Sequence, residues 1–176
     1  MSPARGPTSF TLVVQPTDRL RVEPLRVEDA DEMVEVLSDV RLHEFTGGSP
    51  PDVEELRRRY RVQVTGVSPD GRETWLNWVV RLRSDGTAIG YVQASLERAG
   101  ADAEVAWVIG RAWQGQGYAS EAVGAMVMAL RAAGTRRLVA HVKADHAASR
   151  RVAERAGLVP TGTVVDDEDE WEWRAP

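Results

Sequence analysis

Apolar and polar positions change period several times along the chain, and each change marks an element. Leu20-Arg21-Val22-Glu23-Pro24-Leu25 alternates and breaks at proline, which predicts a short first strand. Val27 to Asp29 then opens a helix carrying Met33, Val34 and Leu37 on one side, with Glu28 or Asp29 suited to its start. His43-Glu44-Phe45-Thr46-Gly47-Gly48-Ser49-Pro50-Pro51 is a cluster of breakers, and beyond it Asp52 to about Val64 returns to helical spacing through Val53, Leu56 and Tyr60. From Trp75 the period is two: Leu76, Trp78, Val80 and Leu82 alternate, Ser84 to Thr87 turns, Ile89 to Leu96 returns, and after a turn at Arg98 to Asp102, Val105 to Ile109 forms a third strand. A helix from about Tyr118 to Ala133 buries Ala122, Val123, Met126, Val127 and Leu130 and ends at Gly134. Arg137 to Val142 reads as a strand, and Ala147 to Ala156 as a helix capped by Gly157. Leu158 to Val165 and Glu170 to Arg174 read as paired strands about the acidic turn Asp166 to Asp169. The order β, α, α, three β, α, β, α, β, β defines an α+β domain with a mixed sheet.

Residues 1–18, rich in Pro, Ser, Thr and Gly with one β-like patch at Phe10 to Val14, read as a loose arm, and residues 19–176 as a single domain. A chain of 176 residues suits that reading. It contains no cysteine, which excludes a disulfide frame, a thiolate nucleophile and a cysteine-held metal. His43, His141 and His146 share no ligand spacing on one helix, so no metal is expected. The net charge of -5 argues against a nucleic-acid surface and favours cationic ligands at long range. The consecutive Arg57 to Arg59 fit a solvated helix face. No apolar run reaches a membrane span and no signal peptide is expected, so the default location is cytoplasmic.

The candidate chemistry lies at Gln114-Gly115-Gln116-Gly117-Tyr118-Ala119, where a strand passes through a glycine-paired loop into a helix. Free N–H groups and the positive end of the helix dipole make such a loop an anion site, and glycine lets phosphate approach the main chain. Taken alone, such a loop is more often a tight connection. Two known phosphate patterns fail: no Lys follows Gly117 as a nucleotide-triphosphatase loop requires, and Ser120 replaces the third glycine of the dinucleotide fingerprint. A third, Q/R-x-x-G-x-G/A, is met at every specified position.

With that pattern the chain resembles the GNAT N-acetyltransferases, over roughly Leu20 to Arg174. Ala103 to Gly110 resembles the family's fourth strand, and Tyr118 to Ala122 the start of its coenzyme-binding helix. Ala147 to Leu158 resembles the N-x-A-S…GF segment of the branch that includes ribosomal-protein N-terminal acetylases. The resemblance implies a mixed, mostly antiparallel sheet of about six or seven strands flanked by about four helices, splayed between the fourth and fifth strands. It implies acetyl-coenzyme A as cosubstrate, held by Trp107, Val108, Ile109, Gln114, Gly115, Gln116, Gly117, Tyr118, Ala119, Ser120, His146 and Ser149, with the Val108 N–H meeting the thioester oxygen. Two departures stand out: His146 replaces the branch's usual Asn, and Leu158 its Phe.

Acetyl transfer to an amine needs a neutral amine, a polarised carbonyl and a proton for the leaving thiolate. Glu104, on the strand face of Ala106 and Val108, and His141, at a position where some relatives carry a catalytic Glu, are alternative general bases. Ala153 stands where many relatives have a proton-donating Tyr, which leaves Ser149 as candidate donor, or simply as a helix-start residue. By the same resemblance Phe45, Gly47, Asp166 and Asp167 border the acceptor, with Trp171 and Trp173 flanking it. The expected partner is an amine acceptor, small molecule or peptide N-terminus, with neither nucleic acid nor membrane, and a homodimer is left open. The expected activity is direct acetyl transfer to a primary amine in a ternary complex; the alternative is an acyl-coenzyme A sensor without turnover.

Overall fold

The computed structural model describes residues 12–97 and 101–176. Phe10, Thr11 and the first part of the turn at Arg98 to Asp102 lie outside the described residues. Strand β1 (Leu20–Pro24) leads through single 3-10 turns to helices α1 (Ala30–Val36), α2 (His43–Thr46, one turn) and α3 (Val53–Gln63). Strands β2 (Glu73–Leu82), β3 (Ala88–Glu97) and β4 (Asp102–Ile109) follow. Helix α4 (Tyr118–Ala132), strand β5 (Arg137–Lys143), helix α5 (Ala147–Arg155) and strands β6 (Val159–Val165) and β7 (Glu168–Arg174) complete the chain.

All seven strands form one sheet in the order β1-β2-β3-β4-β5-β7-β6. Every neighbouring pair is antiparallel except β4 and β5, which run parallel and pair only from Asp102–Arg137 to Glu104–Val139. Beyond Glu104 the two strands part, and this is the expected splay.

Strand alternation sorts the core onto two faces. Leu20, Val22, Trp78, Val80, Val92, Val105 and Leu138 meet the buried stripe of α4 and the buried Val152, Ala153 and Ala156 of α5. On the opposite face Val79 and Val108 meet Met33, Leu56 and Tyr60 from α1 and α3. Helix α3 starts where Asp52 accepts the Glu55 N–H (2.7 Å), a side-chain N-cap. Gly134, at φ +94°, stops α4 as the left-handed residue that a C-terminal cap calls for. Arg81 holds the start of α1 to β2 through Asp29 (2.8 Å) and Glu32 (2.7 Å).

Three boundaries differ from the sequence reading. Residues 12–18 form no strand but lie against the domain, with Val14 only 5% exposed in the α4-side core. Asp102 belongs to β4 rather than to the preceding turn. The acidic turn contracts to Asp166 and Asp167, both left-handed (φ 48° and 64°), because a two-residue hairpin turn needs positive φ at both positions and Asp tolerates it.

Gly90 sets the contact between β3 and the end of β4. A Cβ there would overlap the Val108 carbonyl oxygen and stand 2.9 Å from Ile109 Cα, so neighbouring main chain rather than a flexible side chain would have to give. Gly90→Ala is expected to lower the unfolding free energy by about 2 kcal/mol, within the range for overpacking. Urea denaturation checks this; an unchanged midpoint would contradict the close approach of these strands.

Candidate active site

Main-chain direction decides which groups line the splay. Gly110 donates its N–H to Ile89 O (2.8 Å) on the β3 side, whereas Ala101 O accepts from Arg136 (2.7 Å) on the β5 side. Because successive residues turn their N–H and C=O groups to opposite edges of a strand, even-numbered residues of β4 face β3 and odd-numbered ones face β5. Trp107 and Ile109 therefore present main-chain groups to the splay, with His141 and Lys143 across from them on β5. Val108, expected to supply the N–H for a thioester oxygen, directs its N–H to Tyr91 in the β3–β4 ladder instead. Ile109 O, at the open end, accepts from the Gln114 side chain (2.9 Å). Gln114 thus satisfies a carbonyl that a continuing sheet would have used.

The loop after Gly110 carries left-handed Gly115 (φ +75°) and Gly117 (φ +83°), and the first bond of α4 runs from Glu121 N to Gly117 O (3.1 Å). Among the described residues no acceptor meets the N–H groups from Gly115 to Ser120. These six N–H groups, at the positive end of a 15-residue helix, form a nest suited to a pyrophosphate. A Cβ on Gly115 would meet nothing within 4 Å, so the loop's outer side is open. The residues present fit coenzyme A: an anion cradle at the mouth of the splay, and unpaired strand edges leading inward.

The cradle is braced from the segment before β1. Arg19 bonds Glu121 through Nε (2.7 Å) and Nη2 (2.5 Å), reaches Gln116 O through Nη1 (3.0 Å) and lies 4.5 Å from the Tyr118 ring centroid. Thr17 Oγ1 donates to the other Glu121 oxygen (2.5 Å). Burial pushes the Glu121 carboxyl up, and the hydrogen bonds from Thr17 and Arg19 outweigh it, leaving the group below its usual range. Sequence reasoning missed Thr17 and Arg19, since nothing local ties residues before a strand to a helix about a hundred positions later.

Glu104 and His141, the alternative bases, are brought together: His141 Nδ1 lies 3.2 Å from Glu104 Oε1 where β4 and β5 part. His146 is the N-cap of α5, its Nδ1 accepting the Ser149 N–H (3.3 Å). That bond puts the ring proton on Nε2. Burial holds the His146 pKa below the ordinary histidine value. Ser149 is half-buried in the first turn of α5, and Ala153 is fully buried under it.

On the Glu104 face a cleft of about 240 Å³ continues down the sheet between Gln63, Glu73, Trp75, Asn77, Gln93 and Ser95. The sequence hint was available: Asn77, Gln93 and Ser95 alternate with core positions, and the register aligns Asn77, Gln93 and Ala106 in one row. Helix α2 reaches the far end of β5, where Lys143 Nζ donates to Glu44 O (3.4 Å), and Gly47 follows the helix at φ +75°. Asp166 and Asp167 are exposed at the tip of the β6–β7 hairpin, near the end of β5 where Lys143 pairs with Glu168. Trp171 and Trp173 do not flank this side. They share a face with Ala140 and Leu138, so Trp171 is 1% exposed in the α4–α5 core and Trp173 stacks on Arg131 (4.3 Å). Among the described residues no group of three His, Cys, Asp or Glu is arranged to hold a metal, and no helix is long and apolar enough to cross a membrane. Arg57 and Arg59 are engaged by Asp31, Glu54 and Glu55 on the surface.

A splayed β4–β5 pair ending in an N–H cradle defines a coenzyme A-dependent acyltransferase fold. The profile described as "Acetyltransferase (GNAT) domain" matches residues 19–159, and the chain belongs to that family, whose members take acetyl from acetyl-coenzyme A. Among solved structures, RimL, a ribosomal L7/L12 α-N-protein acetyltransferase in complex with coenzyme A, is similar at 16% identity (TM-score 0.78; 92% of this chain, 97% of that one). Spermidine N-acetyltransferase from Vibrio cholerae with coenzyme A and spermine is similar at 17% identity (TM-score 0.71; 89% and 94%). An aminoglycoside acetyltransferase with coenzyme A is similar at 16% (TM-score 0.71; 88% and 94%). No curated protein matches the chain in sequence.

Two outcomes test this geometry. Because the folded state disfavours the His146 imidazolium, its contribution to stability is complete above the ordinary histidine pKa of about 6.5 and is lost as pH falls below it. The wild type is expected to lose about 1 kcal/mol more than His146→Asn between pH 7 and 5, the size of a helix cap; equal losses by pH-dependent denaturation would remove His146 from the cap. Gly117→Trp, at left-handed φ in the cradle, is expected to weaken coenzyme A binding at least about tenfold. Calorimetric titration giving unchanged affinity would move the site elsewhere.

Proposed function

We propose that this protein moves acetyl from acetyl-coenzyme A to the primary amine of a cationic acceptor by direct transfer in a ternary complex. The observation that carries the reading is the splay itself. Its mouth is the N–H cradle of Gly115 to Ser120, its walls are the strand edges at Trp107, Ile109, His141 and Lys143, with the Ile109 and Lys143 carbonyls taken by the Gln114 side chain and the His146 N–H, and its root holds the Glu104–His141 pair.

When bound, acetyl-coenzyme A supplies the thioester. The edge N–H of Trp107 or Ile109 would donate to an acyl oxygen, a fixed dipole that needs no reorganisation. Glu104 accepts the His141 Nδ1 proton, which leaves the Nε2 lone pair to take a proton from the acceptor ammonium, as in other carboxylate–imidazole pairs. Ser149 at the start of α5 would relay to the departing thiolate the proton that the attacking nitrogen sheds as the amide forms, so that its hydroxyl ends unchanged. The cleft beside Glu104 carries two carboxylates, Glu73 and Glu104, among neutral polar groups, and Asp166 and Asp167 lie on the hairpin beyond. Such a surface attracts a cationic amine. A small polyamine or aminoglycoside and a basic peptide N-terminus both satisfy it, in line with the acceptors named for the similar structures.

Thermal shift with acetyl-coenzyme A, ATP and NAD, followed by thiol release on an amine panel, tests the reading. Stabilisation by acetyl-coenzyme A alone, with turnover on a cationic amine, is expected. Binding without turnover on any amine would instead favour an acyl-coenzyme A sensor. His141→Ala and Glu104→Gln are each expected to lower kcat about 100-fold near neutral pH, less so above pH 9 where more acceptor arrives neutral. Full activity in both variants would remove the pair from the chemistry.

A further inference from the structure

Arg19 lies outside the coenzyme loop and before the first strand, yet one guanidinium engages three parts of the cradle. It holds the Gln116 carbonyl, the Glu121 carboxylate and the Tyr118 ring face. Glu121 in turn takes the Arg19 main-chain N–H (3.1 Å) and the Thr17 hydroxyl on its Oε1. The carbonyl matters most. A peptide carbonyl turned toward the site would oppose a phosphate, and binding Gln116 O on the Arg19 side turns the same peptide unit's Gly117 N–H the other way. Both glycines of the loop adopt left-handed φ with open space or only Arg19 nearby: a Cβ on Gly117 would find Arg19 Nη2 at 3.5 Å and no other described atom within 4 Å. The two glycines therefore add no packing that would define the loop's shape; Gln114 and Gln116 tie it to Ile109 O (2.9 Å) and Ala112 O (3.5 Å), and Arg19 braces it from outside.

We propose that Arg19, clamped by Glu121 and Thr17, is the positioning residue that sets the coenzyme loop in its phosphate-binding shape, so that the segment before β1 is part of donor recognition. The proposal rests on the acetyl-coenzyme A reading above. Arg19 acts through Gln116 and the helix start rather than as a charge offered to phosphate, because Glu121 already neutralises it at two nitrogens.

Calorimetric titration of the full chain with coenzyme A and with pantetheine, which lacks the pyrophosphate, tests this. The wild type is expected to bind coenzyme A more tightly. Arg19→Ala is expected to weaken coenzyme A about tenfold and leave pantetheine unchanged. Glu121→Gln separates positioning from charge attraction by sign: loosening the clamp is expected to weaken coenzyme A, whereas a phosphate-attracting Arg19 freed of its counter-charge would bind it more tightly, and that result would overturn the proposal. Arg19→Lys, which cannot span both partners in a planar fork, is expected to stay weakened; full recovery would also overturn it. Equal loss for both ligands in Arg19→Ala would show a general structural defect and sink the positioning role. Equal affinity of the wild type for coenzyme A and pantetheine would instead count against the loop's phosphate reading, a separate failure.

Discussion

The arrangement depends on one interrupted ladder. β4 and β5 share three residue pairs and then separate, although each stays fully paired on its other side, β4 with β3 and β5 with β7. Unpaired edges inside a sheet would ordinarily be costly. Here the cost is contained at the open end, where Gln114 satisfies Ile109 O and the His146 N–H satisfies Lys143 O, and under the proposed function a strand-like amide chain would take up the groups that remain. The pantetheine arm of the family's cosubstrate is such a chain.

The parting of the strands also explains the convergence of chemically distinct parts. Because β4 leads into the loop and β5 into α5, the N–H cradle, the His146 cap and the Glu104–His141 contact all fall around the same gap. The two halves of the sheet are rigid for different reasons. The β1–β4 half is fastened by close approach at Gly90 and by the Arg81 network. The β5–β7 half is fastened by the buried Trp171 and by Arg137, which bridges to Glu170 and Glu172 at 3.3 and 2.9 Å. At the root of the gap the Glu104–His141 contact (3.2 Å) and the Arg137–Asp102 ion pair (3.8 Å) bridge the two halves, and beyond it each half is held by its own packing.

Much of this was legible in the residues, for reasons that differ by element. Helix α4 announced itself because its buried stripe has helical period and its ends carry glycine. The glycine loop was readable as a left-handed turn at a helix start because Gly115 and Gly117 stand where positive φ is needed. The Val108 assignment went astray because main-chain direction follows from ladder parity, which a sequence carries only once one bond such as Gly110 to Ile89 is known. Trp171 and Trp173 were placed on the wrong side for a related reason: where β7 lies against β5 decides which alternate set faces α5. Glu104 and His141 looked like competing candidates because a parallel crossover hides that positions 37 apart are neighbours.

Arg19 illustrates a limit of another kind. Its neighbours in sequence are ordinary turn residues, and its charge gives no cue among the 22 Lys and Arg residues of the chain. What distinguishes it is tertiary: the two left-handed glycines contribute no side-chain packing, so a brace on the Gln116–Gly117 peptide comes from a neighbouring element. Besides Arg111, which donates to Gln114 Oε1 (3.3 Å) from the preceding turn, the cation bonded to that loop among the described residues comes from the entrance to β1. The same logic makes glycine-rich anion loops readable as binding sites from local sequence while leaving their supports unreadable, since freedom to approach a phosphate and the need for an external brace arise from the same missing side chains.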